Sequence, residues 1–365
     1  MNERVYEVIT LIFSIDLVAI IFAFTPYYIR KTDAFGVSVP EEQYDHPRLA
    51  AMRAAFRNKV LAVGLAATAL CVAVALFWPR WLLPAGMTVL FAQMAAVFGI
   101  YYRFHRQAKT LKAAQNWQKN VVTKVAVELS RVVRVSPLWV LFYLLPIGIT
   151  AAMTIEAYPG LPQQIPMNFS FSGAVTSYAA KSWRAVMLLP VTQLILTLIF
   201  GVVLLSISRS RLTIDPQREE ESLRRSNIFR LAWSLFLLIG GFSLVCMFVL
   251  LQMVILGKLS IAWVNPFALG IPLLFIGAAL VLSVKLGQGG SRIRDKAGKS
   301  TVLSVRDDDR YWKLGTFYYN PEDPAVFVEK RFGIGWTCNF ARPTSYLLLA
   351  GLVLIILITI LLVPR

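Results

Sequence analysis

Apolar residues in this chain come in long blocks, and polar residues gather between them. Eight apolar stretches, at roughly 5–28, 59–78, 81–102, 137–158, 183–206, 229–255, 262–284 and 344–363, each hold enough residues for a helix to span a bilayer. A helix rising ~1.5 Å per residue needs about 20 residues to cross ~30 Å of hydrocarbon. The pattern predicts an all-α polytopic transmembrane bundle over residues 1–304. A small β-containing cytoplasmic module follows over 305–343, and residues 344–365 form a final transmembrane helix.

Composition agrees with this. Of 365 residues, 57% are hydrophobic, which places the chain outside ordinary soluble proteins. The charge is +17, and its placement matters more than its size. Of the 37 Lys and Arg, 31 fall on alternate connections, leaving Arg4, Arg80, Lys181, Arg184, Lys258 and Arg365 for the other side. Basic loops stay in the cytoplasm, so both termini are expected outside, in a multi-pass protein of a bacterial cell membrane. The basic inner face then attracts the anionic lipid of the inner leaflet, and a nucleic-acid partner is not expected.

The inner connections have their own design. Asp45-His46-Pro47 ahead of Leu49, Met52 and Phe56 reads as a capped amphipathic helix, as does Asp215-Pro216 ahead of Glu219, Glu220 and Glu221. Leu111, Ala114, Trp117, Val121, Val125, Leu129 and Val132 recur every three or four residues, which predicts a basic amphipathic helix at the membrane surface. Gly287-Gln288-Gly289-Gly290 lacks the Lys-Ser/Thr end of a phosphate loop and reads as a flexible exit linker. His46 and His105 are isolated, Cys71, Cys246 and Cys338 form no liganding pair, and the run Asp307, Asp308, Asp309 lacks liganding periodicity. No metal or other cofactor is therefore expected.

Within the module, runs at 316–319, 326–330 and 336–340 separated by turn residues predict a β meander. Phe317-Tyr318-Tyr319-Asn320-Pro321-Glu322-Asp323-Pro324 and Gly335-Trp336-Thr337-Cys338-Asn339-Phe340 resemble a cytoplasmic domain of unknown function in multi-pass proteins of Gram-positive bacteria. The Gly36–Pro40 segment resembles one that accompanies it.

Outside, only residues 158–182 form a loop of any length. Leu161-Pro162 and Ile165-Pro166 impose an extended course, because each Pro fixes its own φ and turns its predecessor away from helix. With Gly173 and Lys181, this strap is similar to the outer domain of the SdpI-type killing-factor immunity family. The resemblance implies contact with an envelope-active peptide or lipid through Leu161, Pro162, Ile165, Pro166, Asn168, Phe169, Phe171 and Gly173. Asn168 and Thr176 stand where relatives often carry His and Asp, which argues against titratable or metal-dependent roles there.

Inside the membrane, Asp16 is the only acid near the middle of a span. Its burial costs roughly 3 kcal/mol, so it should not face lipid. Gln93 and Gln193 share its depth, and the three read as a polar layer ordering the bundle. Pro146, Pro190 and Pro272 are expected to kink their helices, while Gly64, Gly270 and Gly277 suit close helix contact. No pair of acids, Ser-Lys or His cluster in the spans supports an enzyme. The leading expectation is a non-enzymatic membrane protein of immunity or sensing type, binding a peptide or lipid outside and a cytoplasmic protein partner inside. The alternative is a secondary transporter with its site around Asp16.

Overall fold

The computed structural model describes residues 3–117, 133, 135–170, 173–210, 219–293 and 308–362. The amphipathic helix expected beyond Trp117, the Asp215-Pro216 cap, Phe171 and Asp307 lie outside the described residues.

The apolar blocks become helices. They are α1 (Glu3–Tyr28), α2 (Pro47–Phe77), α3 (Leu82–Ala114), α4 (Leu144–Ala157), the short α5 (Trp183–Val186), α6 (Leu188–Ser208), α7 (Glu219–Ile255) and α8 (Ile261–Leu286). Among the described residues, seven helical segments are long and apolar enough to cross a membrane. The last apolar stretch forms α9 (Pro343–Leu362). Leu65, Leu76, Phe77 and Leu274 are exposed along the helices, as lipid-facing residues must be. Trp78, Trp81, Trp183 and Trp263, all exposed, mark one end of the bundle as an aromatic belt would.

Helix ends follow local chemistry. Pro47 opens α2, and His46 rather than Asp45 caps it, its Nδ1 accepting from the Arg48 N–H at 3.2 Å. His46 is thus a structural cap. Pro190 sits in the first turn of α6, where a missing N–H costs nothing, whereas Pro146 lies inside the helical span Pro137–Gly160, just past the point where its 3-10 turns (Pro137–Tyr143) give way to α4. Pro272 is interior to α8.

The helices pack as two groups. α1, α2 and α3 enclose Leu11, Ile15, Ala67, Cys71, Leu82 and Val89, with a larger core of Phe35, Phe56, Tyr101, Phe104 and Phe332 where α1 and α3 end. α4, α6, α7 and α8 form the other group, and α9 lies on α6. Close approach within the first group depends on Gly64, where a Cβ would lie 2.5 Å from that of Ala19. Gly270 and Gly277 face open space, so the helix contact expected of them is not made.

Small antiparallel hairpins decorate both ends. At one end β1 (Asp33–Ala34) pairs with β2 (Val37–Ser38). At the other, β3 (Gln164–Phe169) pairs with β4 (Val175–Ala180). The C-terminal module contains β5 (Trp312–Lys313) with β6 (Phe317–Tyr318), and β7 (Phe327–Glu329) with β8 (Trp336–Cys338). A Tyr318–Asn339 bridge joins these two hairpins, close to the predicted meander.

Candidate functional site

The strap is a hairpin clamped to the helix tops. Ile165 is wholly buried against Val186 and Ile255, and Phe169 packs on the core of Met247, Val254 and Val264. Lys181 Nζ donates to the carbonyls of Pro159 (3.0 Å) and Leu161 (2.9 Å) and lies over the Tyr158 ring. Tyr158 in turn stacks on Trp183 with centroids 3.8 Å apart. The turn is closed by Ser170 Oγ, which accepts from the Ala174 N–H at 3.0 Å. Gly173 has φ +93°, and a Cβ there would meet Ile261.

This geometry divides the residues expected to meet a ligand. Ile165 is buried and anchors the strap, while Leu161 and Phe169 pack half-buried against the same side. Pro162 and Asn168 are exposed, and Asn168 Nδ2 donates across the hairpin to Ser177 Oγ at 2.7 Å. The period-two alternation of strand β4 exposes Thr176, Tyr178 and Ala180 on the outer surface, with Tyr178 56% exposed. The residues Val175-Thr176-Ser177-Tyr178-Ala179-Ala180 do not alternate between apolar and polar types, so the exposed face of β4 carries no signal in the sequence.

The intramembrane polar residues fall in two clusters, one in each helix group. In the first helix group, Thr68 Oγ1 donates to Asp16 Oδ1 at 2.7 Å, and Gln93 Nε2 donates to the Ile15 carbonyl at 2.9 Å. Gln193 belongs to the second group. Its Nε2 donates to Thr150 Oγ1 (3.1 Å) and to the Val245 carbonyl (2.9 Å). Gln252, not foreseen, repeats the arrangement with Thr154 Oγ1 (2.8 Å) and the Val186 carbonyl (3.0 Å). Gln193 thus ties α6 to α7, Gln252 ties α7 to the end of α5, and α4 offers one Thr to each. Such interhelical bonds order a bundle.

At the opposite end, segments distant in sequence converge. Phe35 and Gly36 form the β1–β2 turn, both at positive φ. A Cβ on Gly36 would fall 2.4 Å from the Gly315 carbonyl oxygen and 2.6 Å from Tyr101 Oη. Around this contact lies a buried charge cluster. Arg331 forks onto Asp308 and Asp309, and Arg30 pairs with Glu329. Lys112 Nζ donates to Asp309 Oδ2 (2.7 Å) and Ser38 Oγ (2.8 Å), while the Ser38 N–H (3.2 Å) and hydroxyl (3.0 Å) donate to Asp309 Oδ1. Burial opposes the Asp309 charge, but Arg331 and Lys112 hold its carboxyl below the usual range. Burial likewise works against the Arg331 charge, yet Asp308, Asp33 and Asp309 raise its pKa. Asp33, also buried, has its pKa pushed up to about 6 by desolvation, only partly offset by Arg331 and Arg30.

The same module grips the second helix group. Gln288 exchanges two hydrogen bonds with the backbone of Gly335 (2.8 and 2.7 Å), and Trp336 packs on Phe229 of α7. Gln288, Gly289 and Gly290 are buried, so the run expected to be a flexible linker is a packed joint. Inside the module, buried Asn339 bonds Asn320, Asp323 and Ala325 through backbone groups. The module is therefore a clasp across both groups. Among the described residues no cluster of His, Cys, Asp and Glu is arranged to hold a metal.

Two segments of the chain match known family models. Residues 145–194, running from α4 through the hairpin into α6, match a membrane-associated domain of unknown function, DUF1648. Residues 321–346, from the module into α9, match a family of unknown function, DUF5808. No curated protein matches the chain. No solved structure matches it either.

Proposed function

We propose that this integral membrane protein is non-enzymatic and of immunity or sensing type. Its outer hairpin meets an envelope-active peptide, and its clasp face meets a cytoplasmic protein partner. In this reading it lies in a bacterial cell membrane and crosses it eight times, with both termini outside and the basic loops against anionic inner-leaflet lipid. The observation that carries the proposal is the hairpin's division of labour. Ile165 and Phe169 fix it to the helix tops, while Tyr178 and Thr176 are held outward on a preorganised surface. A rigid platform loses little conformational entropy when it binds, and exposed two-stranded hairpins accept extended peptides. The DUF1648 match over this hairpin fits the resemblance to the SdpI-type outer domain.

The transporter reading rests on the Thr68–Asp16 pair. It is weaker because Gln193 sits in a different cluster, so Asp16, Gln93 and Gln193 do not line one path. One experiment separates the two. In a peptide-sensitive host, survival conferred by the protein should fall with Tyr178→Ala and persist with Asp16→Asn. The reverse pattern favours transport and overturns the proposal.

A further inference from the structure

The clasp cluster holds unequal numbers of opposite charges. Arg30, Lys112 and Arg331 face Asp33, Asp308, Asp309 and Glu329, and all but Asp309 are at least nine-tenths buried. The three cations are engaged by Glu329, Asp309 and Asp308. Among the described residues, the Asp33 carboxylate makes no ion pair or hydrogen bond of its own. It lines a cavity of about 10 Å³, room for one water, together with Phe35, Leu49 and Arg53. Arg53 is engaged elsewhere, its guanidinium donating to the Tyr44 carbonyl at 2.8 Å, lying over the Tyr44 ring and pairing with Asp45 at 3.9 Å. The remaining titratable neighbours are Tyr101 and His105, whose ring Nδ1 sits 2.8 Å from the Phe35 carbonyl oxygen.

We propose that the clasp is a proton-loaded latch: the closed module carries one proton on Asp33, and losing it loosens the grip of residues 308–332 on the β1–β2 hairpin. A protonated Asp33 leaves three positive and three negative charges in a largely buried site, where an unmatched charge is costly. The direction follows from linkage. Burial raises the Asp33 pKa in the closed state, so closing takes up a proton, is favoured at low pH and weakens as pH rises through about 6. With an ordinary carboxyl in the open state, the closed-to-open ratio falls roughly tenfold between about pH 5 and about pH 7.5. The inference stands apart from the peptide proposal, since it concerns the opposite end of the helices and needs no ligand.

Hydrogen–deuterium exchange on the full chain in nanodiscs tests it, corrected for the intrinsic pH dependence of exchange. Protection of peptides covering 33–39 and 308–332 should drop about tenfold from about pH 5 to about pH 7.5, with the 145–194 segment unchanged. Asp33→Asn, a neutral isostere of the protonated acid, should hold the high protection across that range. His105→Gln should keep the wild-type slope, which leaves the test intact should Asp33→Asn fold poorly. A flat wild-type profile, an Asp33→Asn protein that retains the slope, or a His105→Gln protein that loses it would overturn the latch.

Discussion

Lys112 donates to Asp309 at 2.7 Å across 197 residues of chain, joining the end of α3 to the C-terminal module. That bond, with the Arg331 fork beside it, makes the last part of the sequence a structural partner of the connection between α1 and α2.

Asp309 should therefore be the most sensitive acid of the clasp. Asp309→Ala leaves Lys112 and Arg331 short of their shared carboxylate, a loss of about 3 kcal/mol for a broken buried pair. Limited proteolysis of the module reports it. Because the Asp309 pKa is depressed, its contribution is present above the ordinary carboxyl value and fades as pH falls through about 4. Acidification below that point should open the wild-type clasp, and a clasp equally closed at about pH 3 would contradict this.

Gly36 and Gly277 should respond oppositely to alanine. At Gly36, φ is +78° and a Cβ would overlap Gly315 and Tyr101, so at least about 3 kcal/mol is lost through strain and clash. Nothing lies within 4 Å of a Cβ on Gly277, and its replacement should leave the melting temperature in detergent unchanged or slightly raised.

The intramembrane glutamines should be coupled. Gln193→Ala and Gln252→Ala each remove two interhelical donations, about 1 to 2 kcal/mol apiece. Both tie α7 to α4, so the double variant should lose less than the sum, as a thermal double-mutant cycle would detect. Strict additivity would mean that the two bond sets are independent.

Span positions were legible because bilayer thickness imposes a length that hydropathy reveals directly, and the runs between turn signals at 316–319, 326–330 and 336–340 marked β6, β7 and β8. Pairings were not. Nothing in local pattern says that Lys112 waits for Asp309 or Gln193 for Val245, because such contacts depend on how helices come together. A flexible linker and a packed joint read alike in Gly287-Gln288-Gly289-Gly290 until Gln288 is seen bonded to Gly335. On the strap, prolines correctly announced an extended course, but the hydrophobic residues beside them proved to be anchors.

Ile165 and Tyr178 should separate fold from recognition. Ile165→Ala opens a cavity under the hairpin at a cost of about 2 to 4 kcal/mol and should lower thermal stability. Tyr178→Ala, more than half exposed, should leave stability within about 0.5 kcal/mol. A Tyr178→Ala protein destabilised as much as Ile165→Ala would mean that the ring supports the hairpin instead of facing a partner.

The claim that the outer hairpin meets an envelope-active peptide is tested most directly by survival of a deletion strain against a panel of such peptides. The account predicts heightened sensitivity to at least one, restored by the wild-type gene and not by Tyr178→Ala expressed at equal level. A deletion strain as resistant as its parent to every peptide, or full rescue by Tyr178→Ala, would contradict it.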